Sequence, residues 1–239
     1  MNLDLLAIAA HPDDVELTCG GTLLQAAQRG YKTGILDLTA GEMGSRGTPE
    51  TRFKEAAKAA RILRVTHREN LRLPDAHLEV STEFKLAVAR RIRALKPHTV
   101  ILPYWEGRHP DHYTAARLGY EGCFLAGLKQ LPMDGEPFRP FKTLYSTVYY
   151  REVRPTFVVD ISRQFDQRYR AILAYGSQFR PKSKDKKSKV DLPLDRLHQE
   201  VNLIARYYGQ MAGVQYAEPF LVKEVMQVED VMKLPVRSI

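Results

Sequence analysis

The stretch "AIAAHPDDVELTCGG" (residues 7–21) begins with a short apolar run and ends it abruptly in His11, Pro12, Asp13 and Asp14. A second cluster of the same kind, "RHPDH" (108–112), follows another apolar run, "HTVILPYW". Adjacent carboxylates repel one another, so one is driven to keep its proton unless a cation stands beside the pair. Carboxylates and imidazoles crowded together therefore suit a divalent ion, whose charge offsets the repulsion. His, Asp and His make a three-ligand set for a catalytic zinc and leave the fourth position for water. A closed structural site would more commonly use Cys, and neither Cys19 nor Cys123 belongs to the paired clusters. A plainer reading stands beside this one. "HPDD" can be a turn in which Asp13 or Asp14 caps the next helix, and "HPDH" a helix start with Asp111 at the cap. Two such clusters, each closing an apolar run, are hard to assign to capping alone, and metal binding is the expectation.

These clusters need elements that bring them together. "LDLLAIAA" (3–10) has the length and composition of a buried strand, and "VELTCGGTLLQAAQRG" (15–30) the spacing of one helix stopped at Gly30. "KTGILDLTA" (32–40) reads as a second strand, and a helix follows with Pro49 at its start. "HRENLRLPD" (67–75) holds a third strand, "STEFKLAVARRIRALKP" a helix capped by Ser81 or Thr82, and "HTVILPYW" the fourth strand. Strands alternating with helices imply βαβ units: an α/β, Rossmann-like fold with a mostly parallel sheet and helices on both faces. In such sheets ligands sit at the carboxyl ends of the strands. Both clusters fall there, so they can meet although 98 positions separate Asp14 from His112. A dinucleotide would need G-x-G-x-x-G at the first turn; here two carboxylates would repel a pyrophosphate.

Further along, a helix over 113–129, a Pro-rich connection (132–140), strands within 142–150 and 155–162, and helices over 163–179 and 193–213 precede a tail beginning at residue 214. With no repeat and no clear linker, residues 1–239 read as a single domain, and 44% hydrophobic content suffices for its core. The 36 Lys and Arg against 28 Asp and Glu leave a net charge of +8. Much of that excess sits in the Lys/Ser run 182–189, read as a solvated loop, and no nucleic-acid motif accompanies it, so no nucleic-acid partner is expected. The first apolar segment is too short for a signal peptide or a membrane span, which points to no membrane partner and a cytoplasmic location. Cys19 and Cys123 lack metal-site spacing and read as reduced core residues.

The paired "AHPDD" and "RHPDH", with "TAGEMGSRGTPETR" after strand two, resemble the LmbE-like (PIG-L) superfamily of zinc-dependent N-acetylglucosaminyl deacetylases. The likeness runs on through "LPDAHL", "AYGSQF" and "GVQYAEPF", stretches similar to the bacillithiol-biosynthesis branch, whose members act on N-acetylglucosaminyl malate. The resemblance implies that His11, Asp14 and His112 bind the metal, Zn²⁺ with Fe²⁺ or Mn²⁺ as alternatives, and that Asp13 is the general base. It implies that His109, as an imidazolium held by Asp111, stabilises the oxyanion. The alternative, that His109 is itself a ligand, stays open because residues three apart share a helix face. Arg52 matches a family position that contacts substrate, and the plainer alternative is a surface arginine. Glu42 and Asp75 touch sugar hydroxyls or order their loops; Tyr104 and Trp105 wall the pocket or pack in the core. His67, His77, His98 and His198 lie outside the motifs. The expected substrate is a small sugar conjugate, and the resemblance adds a homo-oligomer.

Overall fold

Residues 5–9 form a strand because five consecutive apolar side chains leave neither edge nor face for water: all of β1 (Leu5–Ala9) is buried. The computed structural model describes residues 1–180, 194–234 and 236, so the Lys/Ser run 182–189 lies outside the described residues. Around β1 stand β2 (Thr33–Thr39), β3 (His67–Leu73), β4 (Thr99–Pro103), β5 (Lys142–Ser146), β6 (Phe157–Asp160) and β7 (Ala217–Leu221). They make one seven-stranded sheet in the order β3-β2-β1-β4-β5-β7-β6. Strands β1 to β5 pair in parallel, and β7 runs antiparallel to both neighbours. The expected mostly parallel α/β architecture is borne out. Strand β7 falls in the stretch read as tail; at five residues, with Pro219 inside it, it carries little strand signal of its own.

Successive side chains of a strand point to opposite faces, and the two cores show it. Leu6, Ile8 and Leu36 pack with Val88, Ile92 and Leu118 from α4 (Thr82–Leu95) and α5 (Pro110–Ala126). Leu5, Ala7 and Ile35 pack on the other face with Val15 of α1 (Asp14–Thr18) and Leu23 of α2 (Gly20–Gln28). Among the described residues α3 (Pro49–Ile62), α6 (Phe165–Ile172), the one-turn α7 (Gly176–Phe179) and α8 (Leu194–Met211) complete the helices, and a 3₁₀ turn at Val231–Lys233 follows β7. Ser81 caps α4, its hydroxyl accepting from Phe84 N–H at 3.3 Å, as expected. Cys19 and Cys123 are free and buried. Among the described residues no helix is long and apolar enough to cross a membrane.

The chain leaves β1 toward β2 and β3 on one side and resumes at β4 and β5 on the other. Between β1 and β4 the strand order therefore reverses, and their C-terminal ends flank the crevice where open α/β sheets bind ligands.

Residues 15–30 do not form the single helix expected. The helix breaks at Cys19 into α1 and α2, and the cause comes from β7. Glu218 accepts from Gly21 N–H at 2.8 Å, Thr22 N–H at 2.7 Å and the Thr22 hydroxyl at 2.6 Å, capping α2 from outside. A Cβ on Gly21 would stand 2.9 Å from that carboxylate and 2.8 Å from Ile161, so glycine admits both. Arg168 pairs with Glu218 at 3.0 Å and donates to the α1 carbonyls of Glu16 at 3.0 Å and Leu17 at 2.5 Å. Glu218→Ala would leave the buried Arg168 uncompensated and α2 uncapped. Removing one partner of such a pair costs about 3–5 kcal/mol, and urea unfolding should show a loss of that size; a loss below about 1 kcal/mol would mean the pair does not hold the break.

Candidate metal centre

β1 delivers His11 to the crevice, and the backbone then turns sharply. Asp13 sits at φ 111°, in the left-handed region that a non-glycine residue rarely adopts. Its side chain makes no cap hydrogen bond. Asp14, the first residue of α1, turns back: its Oδ2 accepts from His11 N–H at 2.9 Å and stands 3.2 Å from His11 Nδ1. Its Oδ1 stands 3.2 Å from His112 Nε2. His112 reaches it because α5 starts at Pro110, directly beyond the loop after β4. One ligand atom each from His11, Asp14 and His112 lies within 4.8 Å of the others. The three residues expected as ligands are thus together, two imidazole nitrogens and one carboxylate. The set His11, His109 and Asp111 meets the same criterion, so the alternative role of His109 has a geometric basis too.

The far side of His11 is equally occupied. Its Nε2 stands 3.0 Å from Asp75 Oδ1 and 3.3 Å from Asp111 Oδ2. A metal-bound histidine commonly gives its second N–H to a carboxylate, which fixes the ring's orientation. Asp75 also accepts from Met43 N–H at 2.9 Å and Ala76 N–H at 2.9 Å, while Asp111 accepts from Ala76 N–H at 2.9 Å. Asp75, expected to touch sugar hydroxyls or to order its loop, is buried and turned to His11. Glu42 is exposed, and its Oε1 accepts from Asp75 N–H at 2.8 Å, so it orders that loop.

Arg52 is not the surface arginine of the plainer alternative: it is 5% exposed, with Nη2 3.2 Å from Asp13 Oδ2, hydrogen bonds to the Pro12 and Gly41 carbonyls, and a buried Nε that meets no partner among the described residues. His109, not Asp111, is the N-cap of α5, and its Nδ1 accepts from Asp111 N–H at 3.3 Å. A ring whose Nδ1 accepts favours the neutral form over the imidazolium expected, in the same direction as its surroundings push it. The Asp111 carboxylate hydrogen-bonds His11 instead. Tyr104 and Trp105 meet at a tilt, 4.2 Å between ring centres, and pack with Tyr150 and Tyr145, ordinary aromatic packing. His67 faces Glu69 at 3.2 Å, His98 stacks on Phe141, His198 meets Tyr169 edge-on and His77 is exposed.

Sequence reasoning missed Tyr149. Its hydroxyl donates to Asp14 Oδ1 at 3.4 Å and its ring stacks on His112 at 5.0 Å, so it touches two of the three donors. In "STVYY" it reads as strand, but it lies just past the C-terminal end of parallel strand β5. The rule that located the other clusters could have found it.

Four carboxylates, those of Asp13, Asp14, Asp75 and Asp111, crowd this site, and the charges respond. Burial opposes the His11 imidazolium, but hydrogen bonds with Asp14 and Asp75 overcome it and raise the ring to about 11. Burial likewise opposes the Asp14 carboxylate, yet His112 and His11 hold it well below its usual range. Asp75 is lowered to about 2, against its own burial, by His11 and the Met43 N–H. Burial pushes Asp13 up to about 7; Arg52 pulls it down and Asp14 pushes with the burial. His109 is lowered by burial and by the nearness of His112 and His11. A cluster rich in anions with two imidazoles turned inward fits a divalent cation, and His11, Asp14 and His112 would hold it.

The amino-terminal half, residues 6–123, matches the family model described as PIG-L, GlcNAc-PI de-N-acetylase. The chain belongs to the PIG-L/LmbE-like deacetylase superfamily. This PIG-L chain is similar over 90% of its length to the diacetylchitobiose deacetylase of Thermococcus kodakarensis, at 29% identity over 80% of that protein. It is 25% identical, over 74% of its length and 82% of the other, to a probable N-acetyl-α-D-glucosaminyl L-malate deacetylase 2 of Bacillus anthracis. A solved structure, the conserved protein TT1542 from Thermus thermophilus, superimposes with a TM-score of 0.84 at 44% identity, covering 95% of this chain and 98% of that one.

The two overlapping donor sets predict different variants. With the ion at His11, Asp14 and His112, chelator competition should show His112→Ala losing tight Zn²⁺ binding and His109→Ala keeping it. Tyr149→Phe, which removes only the hydroxyl that steadies Asp14, should bind about tenfold more weakly. Loss of binding in His109→Ala with retention in His112→Ala would move the ion to the other set.

Proposed function

We propose that the chain hydrolyses the acetamide of an N-acetylglucosamine conjugate, releasing acetate and a free amine. The observation that carries this reading is the divergence of two adjacent carboxylates: Asp14 turns to His11 and His112, whereas Asp13 turns away to Arg52. One is a metal donor and the other stays free for proton transfer. A divalent ion bound by His11, Asp14 and His112 supplies Lewis acidity toward water and toward the amide oxygen. Zn²⁺ suits this set, and Fe²⁺ and Mn²⁺ suit two histidines and a carboxylate as well.

Asp13 takes a proton from water as the water oxygen attacks the acetyl carbonyl carbon. A carboxyl raised to about 7 is matched to that task near neutral pH. When the C–N bond breaks, the proton held on Asp13 passes to the leaving nitrogen. Water is consumed, acetate and amine result, and the carboxylate is regenerated. His109, with Nδ1 taken up by Asp111 N–H, has Nε2 left to donate to the oxyanion that forms between these steps. Asp111 is a positioning residue in two ways, its N–H fixing the His109 tautomer and its carboxylate steadying His11. Arg52 aims Asp13, and Asp75 aims His11.

The motif segments 73–78, 174–179 and 213–220 support the malate conjugate as substrate. The diacetylchitobiose relative, which aligns with 90% of the chain, supports a second reading. Acetate release by the zinc-loaded protein from both compounds, from an inositol conjugate and from plain N-acetylglucosamine separates them. Asp13→Asn should lose about 10²–10⁴ of the rate while keeping one zinc. Full activity in that variant removes the base assignment; zinc binding with no release from any substrate leaves a metal-binding protein without hydrolytic activity.

A further inference from the structure

Two of the three residues expected to hold substrate, Arg52 and Asp75, are buried and face Asp13 and His11. The third, Glu42, is exposed and lines a cavity of about 500 Å³ between α3 and the edge strand β3. That volume is typical of a small-molecule site. The cavity adjoins the donor cluster, because Pro12, the link between His11 and Asp13, forms part of its wall. Phe53, Lys54, Asn70 and Arg72 also line it.

Each wall has a feature that points to a ligand. Phe53 is 64% exposed, a large apolar ring held beside polar groups instead of in the core. Arg72 has φ 55°, left-handed for a bulky residue, at the point where the β2–β3 register shifts. Asn70 holds this irregularity, its Oδ1 accepting from Arg72 N–H at 2.7 Å and its Nδ2 donating to Thr39 O at 2.5 Å. Bulges beside active sites commonly re-aim a side chain, and strain persists where the surroundings enforce it. The charges in the cavity are not equally free. Arg68 is committed to Asp37 and Glu16, Glu69 to Arg91 and His67, and Glu42 to Asp75 N–H. Glu50 hydrogen-bonds Thr48 at the start of α3 and feels the charges of Arg72 and Lys54. Lys54 and Arg72 thus share one acid between them, and both line the cavity with donors to spare.

We propose that this cavity is a specificity subsite for the group linked to the acetylated sugar, an acceptor-rich substituent whose oxygens meet Lys54 and Arg72 and whose C–H face lies on Phe53. The inference rests on the deacetylase reading above. The acceptors can be malate carboxylates or the hydroxyls of a second sugar ring, and the two conjugates form separate arms of the test. Phe53→Ala and Arg72→Ala alter exposed side chains outside the donor cluster, so both variants should fold, which circular dichroism checks. On the preferred conjugate each should raise KM about tenfold with kcat kept, while kinetics on plain N-acetylglucosamine stay unchanged. A larger effect of Arg72→Ala on the malate arm assigns carboxylates; a larger effect of Phe53→Ala on the chitobiose arm assigns a ring. Equal effects on conjugate and plain sugar, or none on either, overturn the subsite and leave the deacetylase reading intact. No turnover by the unaltered protein on any substrate removes both.

Discussion

The structure depends on a surplus of buried negative charge. Carboxylates from the loops after β1 and β3 and from the start of α5 close on one imidazole, His11, at the place where the strand order reverses. Taking several anions out of water is costly unless each finds a cation or a hydrogen-bond donor. Every one of them does: Asp14 meets two histidines, Asp75 two backbone N–H groups as well as His11, Asp111 the Ala76 N–H, and Asp13 the Arg52 guanidinium.

The same demand explains the broken helix. A helix of five residues cannot stand alone, since nucleation is unfavourable and it has few internal hydrogen bonds to offset the cost. α1 is held from outside by Arg168 on its carbonyls and by Glu16, whose Oε1 accepts from Arg68 at 2.6 Å and from Tyr175 at 3.1 Å. Arg68 then grips Asp37 of β2 with two nitrogens, at 2.8 and 2.9 Å. A continuous helix over 14–28 would bond the Gly21 and Thr22 N–H groups internally and leave Glu218 buried beside Arg168 without them. Splitting the helix lets Asp14 be aimed at the site independently of how α2 packs on the sheet.

The parallel sheet, the two histidine clusters and their meeting place could be read from the chain because they rest on local signals: apolar runs, caps and the rule that ligands sit at strand ends. What could not be read depends on partners distant in sequence. Cys19 gives no local sign of a break, because Glu218, which causes it, lies some two hundred residues away. Arg52 and Asp75 lie beside Asp13 and His11, and their partners there are protein groups, a distinction that residue type alone does not make. His109 at the cap in place of Asp111 reflects a small difference in where α5 begins. Tyr149 was legible in principle and hidden by an aromatic pair that resembles strand.

Adjacent aspartates at the start of an ordinary helix would share one environment, and here they must not. The left-handed backbone at Asp13 separates them, and such a conformation costs on the order of 1–3 kcal/mol, so it persists only where its surroundings enforce it. The enforcing group is Arg52, which bridges the Pro12 carbonyl, the Gly41 carbonyl and the Asp13 carboxylate. Gly41 is required by that bridge, since a Cβ there would fall 2.2 Å from the Arg52 guanidinium and φ is 69°. "HPDD", "AGE" and "PETR" are therefore three parts of one device. The strand ends supply its position, glycine supplies the space for an arginine, and the arginine holds the turn that points two neighbouring carboxylates at different partners.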